Sequence, residues 1–357
     1  MTTTLFLCGD VMTGRAIDQI LPHPGDPTLR ESVVTDARTY VALAERVNGA
    51  IPRPVPFEWP WGDALSVLDE TAPDARLINL ETAITTSSDF APGKAVHYRM
   101  NPANIGCLTV ARPDICVLAN NHVLDFGVNG LVETLQALDD SGLTYVGAGH
   151  SRAAAHRAAV LPGGVVVVAA GARSSGVPPS WAATDDRPGV AYLDSLSDAR
   201  CDALAAEALA ARRADEVTVV SLHWGSNWGY EIHNASIRFA HRLIDAGVDV
   251  VYGHSSHHPR PIEVYRGRLI LYGCGDLIND YEGIEPYRNF RDELRLLYFA
   301  TFDGGRLQRL QMVPMRARRM RLERADREDS EWLRATLEEA SAPFGTRIRY
   351  EDDALVL

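Results

Sequence analysis

Short runs of apolar residues, each followed by small or polar residues, recur along the first part of the chain. Residues 5–8, 77–78 and 115–119 have the composition of buried strands. The residues that follow these runs are Gly9 and Asp10, then Asn79, Leu80 and Glu81, and then Asn120, Asn121 and His122. The pattern predicts strands that present polar side chains where they end.

The same pattern returns in the second half of the chain. The later runs are 217–222 before His223, 248–252 before Gly253 and His254, and 269–272 before Gly273. Helical patterns lie between the runs, at residues 129–141, 198–214 and 234–246. Because strands alternate with helices, we predict an α/β fold in which ligands bind at the carboxyl ends of the strands.

Two segments depart from this alternation. Residues 18–60 contain proline clusters at 22–27 and 52–60, which disfavour regular structure across most of the segment, and we interpret it as an inserted flap. Beyond about residue 303 the chain is rich in arginine and has one amphipathic helical pattern, at 330–341, so this part is expected to pack on the outside. We therefore predict one elaborated domain over residues 1–320 and a C-terminal extension over 321–357 with one helix.

The composition excludes several classes of function. The 357 residues carry a formal net charge of -12 and Lys94 is the only lysine, so no basic surface for nucleic acid is expected. The five cysteines form no CxxC pair, which favours reduced thiols and a cytoplasmic protein. The N-terminus lacks a basic signal-peptide region, and no apolar run approaches the roughly 18 residues of a membrane span. We expect no membrane anchor, and the oligomeric state stays open.

Two carboxylates at strand ends are candidate metal ligands, although each has a structural alternative. Asp10 follows Gly9, whose backbone freedom allows a sharp turn, but an isolated aspartate here is more often a helix cap. Glu81 follows a buried strand, where a carboxylate has to be paired, metal-bound or exposed to solvent to avoid a desolvation cost. A surface glutamate is an equally good interpretation of Glu81 taken alone.

The motif around Asn121 and His122 is more specific. Two consecutive amides and an imidazole directly after an apolar strand are hard to explain by structure alone, although a helix N-cap formed by Asn121 is the alternative. Asn121 offers a neutral oxygen ligand, and His122 offers acid–base catalysis near neutral pH. Asp125 lies at a spacing that would let it orient the imidazole ring.

Imidazoles at the ends of two later strands complete the candidate set. They are His223, His254 and His257. A lone histidine is more often a core or surface residue, but three histidines within 254–258 make that interpretation poor. Together with the carboxylates and the amide, they form a mixed nitrogen and oxygen set suited to two divalent cations about 3.5–4 Å apart, with a bridging hydroxide as nucleophile. The sequence predicts one or two divalent metal ions, Mn, Zn or Fe.

Taken together, these motifs resemble the CapA family, which is named for poly-γ-glutamate capsule synthesis and is related to the calcineurin-like metallophosphoesterases. The matching residues lie within about 4–300 and are Gly9 to Met12, Asn79 to Glu81, Asn120 to His122, His223 to Gly225, Gly253, His254 and His257. The resemblance implies a soluble bacterial branch of this family. It also implies a metallophosphoesterase-like four-layer α/β/β/α sandwich with residues 18–60 as an inserted flap.

The resemblance further implies roles for individual residues. One metal would be held by Asp10, Glu81 and His257, and a second by Glu81, Asn121, His223 and His254. His122 would protonate a leaving group, with Asp125 as its orienting partner. Two departures bear on the first metal: Met12 stands where metallophosphoesterases have a histidine, and Glu81 stands where they have an aspartate. Since a thioether is a poor ligand for these metals, the first site is expected to be the weaker one.

Two functional hypotheses follow from the motifs and the resemblance. The first is a metal-dependent hydrolase that acts on a phosphoester or a γ-glutamyl-type amide beneath residues 18–60, with Arg15, Arg99 and Trp224 as substrate-binding residues. The second is a poly-γ-glutamate or capsule-related binding protein, or a partner in amide-bond formation, without hydrolase activity of its own. No GxxxxGK[ST] phosphate-binding loop is present, so amide-bond synthesis would need a separate partner that uses ATP.

Overall fold

Strands dominate the computed structural model, which describes residues 2–161, 163–213, 216–284 and 288–357. In chain order the strands are β1 (Thr2–Cys8), β2 (Asp10–Val11), β3 (Ala75–Leu80), β4 (Ala83–Ile84), β5 (Arg99–Met100), β6 (Ile115–Val117), β7 (Tyr145–Val146), β8 (Ala148–Gly149), β9 (Ala159–Leu161), β10 (Val165–Ala172), β11 (Gly189–Val190), β12 (Tyr192–Leu193), β13 (Val217–His223), β14 (Val250–His254), β15 (Ile262–Tyr265), β16 (Arg268–Leu271), β17 (Asp276–Ile278), β18 (Leu294–Asp303), β19 (Arg306–Ala317), β20 (Leu322–Arg324), β21 (Arg349–Glu351) and β22 (Ala354–Val356). The predicted strands before Asp10, Glu81, His223 and His254 are all confirmed.

Helices alternate with these strands, as the sequence predicted. In chain order they are α1 (Ala16–Ile20), α2 (Arg38–Asn48), α3 (Ala64–Thr71), α4 (Gly106–Thr109), α5 (Gly127–Asp140), α6 (Arg152–Ala155), α7 (Asp198–Ala210), α8 (Asn234–Ala246) and α9 (Arg327–Ser341). The four predicted helices correspond to α5, α7, α8 and α9. The prediction for α7 extended to residue 214, which lies outside the described residues, whereas the helix ends at Ala210.

Two large sheets carry the strands of the candidate site. The larger sheet has the order β17-β2-β3-β1-β18-β19-β22-β21, with β20 beside β19 and with β6 and β7 continuing from β3. The smaller sheet has the order β12-β10-β13-β14-β16-β15, with β9 beside β10. Pairing is parallel between β2 and β3 and between β13 and β14, and antiparallel between β1 and β18. The fold is therefore mixed α/β with parallel and antiparallel pairs.

Alternating side chains show how the sheets are buried. Along β1, Leu5 and Leu7 join one hydrophobic cluster, whereas Phe6 and Cys8 join another. Successive side chains of a strand point to opposite faces, so both faces of the sheet are covered. The first of these clusters also contains residues of β10, β13 and β14, and therefore joins the two sheets face to face. The other cluster covers the far face of the larger sheet, and a third packs α7 and α8 on the smaller sheet.

Residues 18–60 are more ordered and more buried than their proline content suggested. Helix α2 occupies residues 38–48, between the two proline clusters, and Val41 on it is fully buried. Asp18 accepts hydrogen bonds from the backbone N–H groups of Gly25 (2.7 Å) and Asn101 (2.8 Å), and so ties the segment to the rest of the protein. Tertiary packing outweighs local propensity here, because apolar residues between the prolines reach the core.

The C-terminal residues are also more integrated than expected. Strand β19 lies inside the larger sheet, and β22 pairs with it, so the chain after residue 303 extends that sheet rather than only covering its outside. Leu333 and Leu337 on α9 are buried in the cluster that joins the sheets. The boundary at residue 320 stays a prediction. In the part of the chain that the structure describes, no helix has the length and apolar character needed to cross a membrane.

Candidate metal centre

The candidate residues converge where parallel strands of both sheets end. Asp10 begins β2 and pairs in register with Asn79 near the end of β3, and Glu81 directly follows this strand. In the smaller sheet, His223 and His254 end β13 and β14 as a register pair. The face-to-face packing of the sheets brings these two edges together, so residues far apart in sequence share one site.

Three of these residues form a compact ligand group. Asp10, Glu81 and His223 each place a potential ligand atom so that all three atoms lie within 4.8 Å of one another, and all three residues are buried. The Oε1 atom of Glu81 lies 3.7 Å from the Nε2 atom of His223. Two carboxylates and an imidazole at this separation match the mixed ligand set that divalent transition metals accept.

Two asparagines fix the positions of the carboxylates. The side-chain amide of Asn79 donates to Asp10 Oδ1 (2.7 Å) and to Glu81 Oε2 (3.3 Å). Asn120 in turn donates to Asn79 Oδ1 (3.1 Å) and to the backbone carbonyl of Leu80 (2.8 Å). Neither amide had a predicted role, although both belong to the polar groups at the ends of the predicted strands.

The electrostatics of the two carboxylates differ sharply. Burial disfavours the charged form of Asp10, but the hydrogen bond from His254, together with electrostatic attraction to the imidazoles of His223 and His254, outweighs burial and lowers the pKa of this carboxyl. Burial and then the negative charge of Asp10 raise the pKa of Glu81 well above its usual 4.5. Two adjacent buried carboxylates that resist joint ionisation are the environment in which a divalent cation is most stabilising.

The imidazoles retain unused nitrogen atoms. His254 Nδ1 lies 3.1 Å from Asp10 Oδ1, and its buried Nε2 has no hydrogen-bond partner among the described residues. His223 Nε2 lies 2.9 Å from Asn121 Oδ1, and its Nδ1 is likewise buried without a partner in the described chain. Burial lowers the pKa of His223 to about 3, so this imidazole is neutral, as a metal ligand has to be. These residues therefore fit a bound cation.

His257 has different partners from those that the sequence suggested. Its Nδ1 lies 3.0 Å from Asp276 Oδ1, and its Nε2 lies 3.0 Å from the side-chain amide of Asn227. Burial disfavours the charged ring, but the charge and hydrogen bond of Asp276 outweigh burial and raise the pKa of His257. His257 lies outside the compact group of Asp10, Glu81 and His223, and its role as a ligand stays a prediction.

Asp276 is a site residue that the sequence analysis missed. It lies in β17, which pairs in parallel with β2 so that Asp276 is in register with Asp10. A sequence signal existed, because Gly275 and Asp276 repeat the Gly9 and Asp10 pattern. The two glycines allow the strands to approach closely, since a Cβ atom on Gly9 would lie 2.1 Å from the carbonyl oxygen of Gly275.

Replacing Asp276 with asparagine is expected to weaken divalent-metal binding by about 10- to 100-fold, because residues that orient a ligand typically contribute that much. Competition with a chromophoric chelator measures the affinity. The matched control is Asp185→Asn, since the Asp185 side chain is 94% exposed and lies in a loop. Equal metal affinity of wild type and Asp276→Asn would show that Asp276 only packs beside the site.

His122 and Asp125 form the pair that the sequence predicted. His122 Nδ1 lies 2.6 Å from Asp125 Oδ2, which also accepts from the backbone N–H of Tyr98 (2.7 Å). His122 Nε2 points towards Glu81, whose Oε1 is 3.8 Å away. Burial lowers the pKa of His122 to about 4. The ring is therefore neutral near pH 7, with a proton on Nδ1 shared with Asp125 and a free lone pair on Nε2.

Three residues that the sequence assigned to substrate binding are engaged elsewhere. Arg15 is buried against Asp280 and Glu31, at 2.5 and 2.9 Å. Arg99 donates to the backbone carbonyls of Ser87 (2.6 Å) and Asp26 (2.8 Å) and lies over the ring of Phe126. Trp224 is buried among the residues that pack α7 and α8 on the smaller sheet. These contacts do not include the ligand group, and the substrate-binding role of the three residues stays a prediction.

Met12 lies beside the ligand group in sequence and is fully buried. Its backbone N–H donates to the carbonyl of Ile278 at 2.8 Å, so the segment after Asp10 is held against β17. A thioether at this position contributes neither an oxygen nor a nitrogen ligand. Met12 therefore adds no ligand of the kind that a histidine at this position would supply.

Comparison with known proteins identifies a family over most of the chain. Residues 4–281 match the model of the family described as bacterial capsule synthesis protein. A relative from Mycobacterium tuberculosis, named as a probable polyglutamine synthesis accessory protein, is 55% identical over 99% of this chain and 95% of its own length. A solved structure from Thermus thermophilus covers 85% of this chain and 100% of its own length, at 10% identity and a TM-score of 0.38, too low a similarity to assign a fold.

Two further relatives are proteins of capsule synthesis. The PGA biosynthesis protein CapA of Bacillus subtilis is 29% identical over 64% of this chain and 59% of its own length. The capsule biosynthesis protein CapA of Bacillus anthracis is 24% identical over 87% of this chain and 67% of its own length. The resemblance to the CapA family that the motifs suggested is thereby confirmed.

Proposed function

This chain belongs to the bacterial capsule synthesis protein family, and on that premise we propose that it is a metal-dependent hydrolase of the metallophosphoesterase type. Its substrate would be a phosphoester or a γ-glutamyl-type amide. The observation that carries the proposal is the convergence of Asp10, Glu81 and His223, with three potential ligand atoms within 4.8 Å of one another in a buried position. Such a group is costly without a cation and is stabilised by one.

The proposal includes the four-layer α/β/β/α arrangement of metallophosphoesterases. Its support is the distribution of the hydrophobic clusters, one of which joins the two sheets while the others pack helices on their outer faces. Residues 18–60 would form one side of the site in this arrangement, packed in place rather than mobile. The support for this is the buried helix α2 and the hydrogen bonds to Asp18.

The residues that would hold the cation are Asp10, Glu81, His223 and His254, with Asn121 beside them. A divalent cation bound there would supply Lewis acidity and stabilise negative charge on a phosphoryl or carbonyl oxygen. Manganese, zinc and iron all accept this ligand set. The 3.7 Å separation of His223 Nε2 from Glu81 Oε1, and the buried Nε2 atom of His254 that lacks a partner among the described residues, support this assignment.

His122 would move a proton during the reaction. In its neutral form the Nε2 lone pair accepts a proton from the attacking water, and the charged ring then returns that proton to the leaving oxygen or nitrogen atom. Asp125 orients the ring through the 2.6 Å contact with Nδ1 and stabilises the charged form. His122 thus acts first as a base and then as an acid, and it ends each turnover in its original neutral form.

A second candidate function is an accessory or polymer-binding role without independent hydrolysis. Met12 favours it, because this residue removes a nitrogen ligand from the position where metallophosphoesterases have a histidine. The pairing of His257 with Asp276 and Asn227 also favours it, since these contacts occupy both ring nitrogens. The relative from Mycobacterium tuberculosis is named as an accessory protein.

Metal analysis followed by a substrate screen separates the two functions. Protein purified without chelator is assayed for metal per chain, and then for hydrolysis of phosphomonoesters, phosphodiesters and γ-glutamyl peptides. We expect bound metal and activity on one class, and a loss of about 100-fold or more in His122→Ala. His156→Ala is the matched control, because His156 pairs with Glu207 on the surface. Protein that binds metal but hydrolyses no class would favour the accessory role, and protein without metal would contradict the hydrolase.

A further inference from the structure

Lys94, the only lysine of the chain, lies beside the candidate metal centre. It is carried by the segment between β4 and β5, where its neighbours Gly93 and Ala95 are exposed. Its side chain turns inward, is only 16% exposed, and places Nζ 2.5 Å from Asp125 Oδ1. The ammonium group also donates to the backbone carbonyl of Asn121 and lies over the ring of Trp181, 5.0 Å from its centroid. A single cation is thus held between two residues of the site motif.

The hydrogen bonds around Lys94 leave one donor available. An ammonium group has three N–H donors; the Asn121 carbonyl accepts one of them, and the 2.5 Å ion pair with Asp125 Oδ1 engages a second. His122 Nδ1 lies 3.3 Å from Nζ but 2.6 Å from Asp125 Oδ2, so its proton is directed to the carboxylate and its lone pair is not free to accept from Lys94. The third N–H remains for a group that enters the site.

Charge balance makes this donor significant. The ligand group and its neighbours bring together the carboxyl groups of Asp10, Glu81, Asp125 and Asp276. The arginines predicted to bind substrate are already engaged, Arg15 with Asp280 and Glu31 and Arg99 with backbone carbonyls. Among the residues described in contact with Asn121, His122 and Asp125, Lys94 is the cation. An anionic substrate would therefore meet its positive charge at this side of the site.

We propose that Lys94 binds an oxyanion of the substrate, either a phosphate oxygen or a carboxylate of a glutamyl unit, and so selects anionic substrates. The inference rests on the proposed function, because it concerns the substrate of the same site. The ammonium keeps its contacts with Asp125 and the Asn121 carbonyl and uses its third N–H for the incoming oxygen atom. Lys94 thereby holds the substrate next to His122.

The test measures ligand binding as well as turnover. Metal-loaded wild type, Lys94→Gln and Lys94→Arg are titrated calorimetrically with inorganic phosphate and, separately, with γ-glutamylglutamate. We expect Lys94→Gln to lower the affinity for the oxyanion that the site recognises by about 10- to 100-fold, as for loss of a charge-assisted hydrogen bond. Lys94→Arg should recover most of this affinity. Arg347→Gln is the matched control, since the Arg347 side chain is 85% exposed.

The outcomes distinguish this inference from the proposed function. If the binding of only one of the two ligands, phosphate or the dipeptide, depends on Lys94, that ligand identifies the source of the oxyanion. Equal dissociation constants in wild type and Lys94→Gln, for both ligands, overturn the inference even when the protein binds metal and hydrolyses a substrate. A fall in kcat of Lys94→Gln with unchanged KM also overturns it, because Lys94 would then position His122 rather than bind substrate. Loss of bound metal in the wild type instead contradicts the proposed function.

Discussion

Replacing Glu81 with glutamine is expected to remove most of the bound metal and to lower hydrolase activity by at least about 100-fold. Glutamine keeps the size of the side chain but loses the negative charge that makes this buried group suitable for a cation. The 3.7 Å separation between Glu81 Oε1 and His223 Nε2 places the carboxylate where it would share the metal with the imidazole. Metal per chain, measured on protein purified without chelator, is the first readout.

In the metal-free protein, by contrast, Glu81→Gln is expected to raise the free energy of unfolding. The pKa of Glu81 is raised in the folded state, first by burial and then by the charge of Asp10. As the pH rises above 4.5, the unfolded chain ionises this group while the folded protein retains the proton, so the folded state loses stability until the pH passes the raised pKa. Glu81→Gln has no such loss. We therefore expect metal-free Glu81→Gln to be more stable than metal-free wild type at neutral pH.

Thermal unfolding with and without added metal checks both halves of this prediction. Wild type should gain about 2.7 kcal/mol at a free metal concentration of 100 times the dissociation constant, whereas Glu81→Gln should gain little. Glu339→Gln on α9 is the control, because this glutamate is exposed. A metal-dependent stabilisation of Glu81→Gln equal to that of wild type would exclude Glu81 as a ligand.

Replacing Arg15 with alanine is expected to lower the free energy of unfolding by about 3–5 kcal/mol, as for removal of one partner of a buried ion pair. The guanidinium group donates to both carboxylate oxygens of Asp280, at 2.7 and 2.5 Å, and to Glu31 at 2.9 Å. Its carbon atom lies 3.8 Å from the ring centroid of Tyr40. Without Arg15, two carboxylates would remain largely buried and uncompensated. Urea unfolding measures the loss.

A double-mutant comparison tests the cause of this loss. In an Asp280→Asn background the substitution of Arg15 should cost less, because the uncompensated charge has been removed. Arg38→Ala is the matched surface control, since Arg38 pairs with Asp36 in an exposed position and its removal should leave stability unchanged. Arg15 was predicted from the sequence to bind substrate. Normal stability of Arg15→Ala together with a raised KM for anionic substrates would support that prediction.

The pattern of strands and helices was accessible from the sequence because it depends on local periodicity. Apolar runs of strand length and the helices α5, α7, α8 and α9 follow from side-chain patterns within a few residues. The segment 18–60 was harder, since its prolines dominate the local signal. The packing of Val41 against distant residues holds α2 in place, and local propensity does not contain that information.

The candidate site was also predictable from the sequence only in part. The sequence by itself identified Asp10, Glu81, His122, His223 and His254, because polar residues directly after buried strands are visible locally and the carboxyl ends of parallel strands meet at one edge. The tertiary structure alone decided their partners. Asp276 joins Asp10 because β17 lies beside β2, Lys94 reaches Asp125 from a loop, and Arg15 pairs with Asp280 across 265 positions of the chain. These contacts depend on the order of the strands in the sheets and on how the chain connects them. Local sequence patterns do not contain that information, because the residues in contact are far apart in sequence.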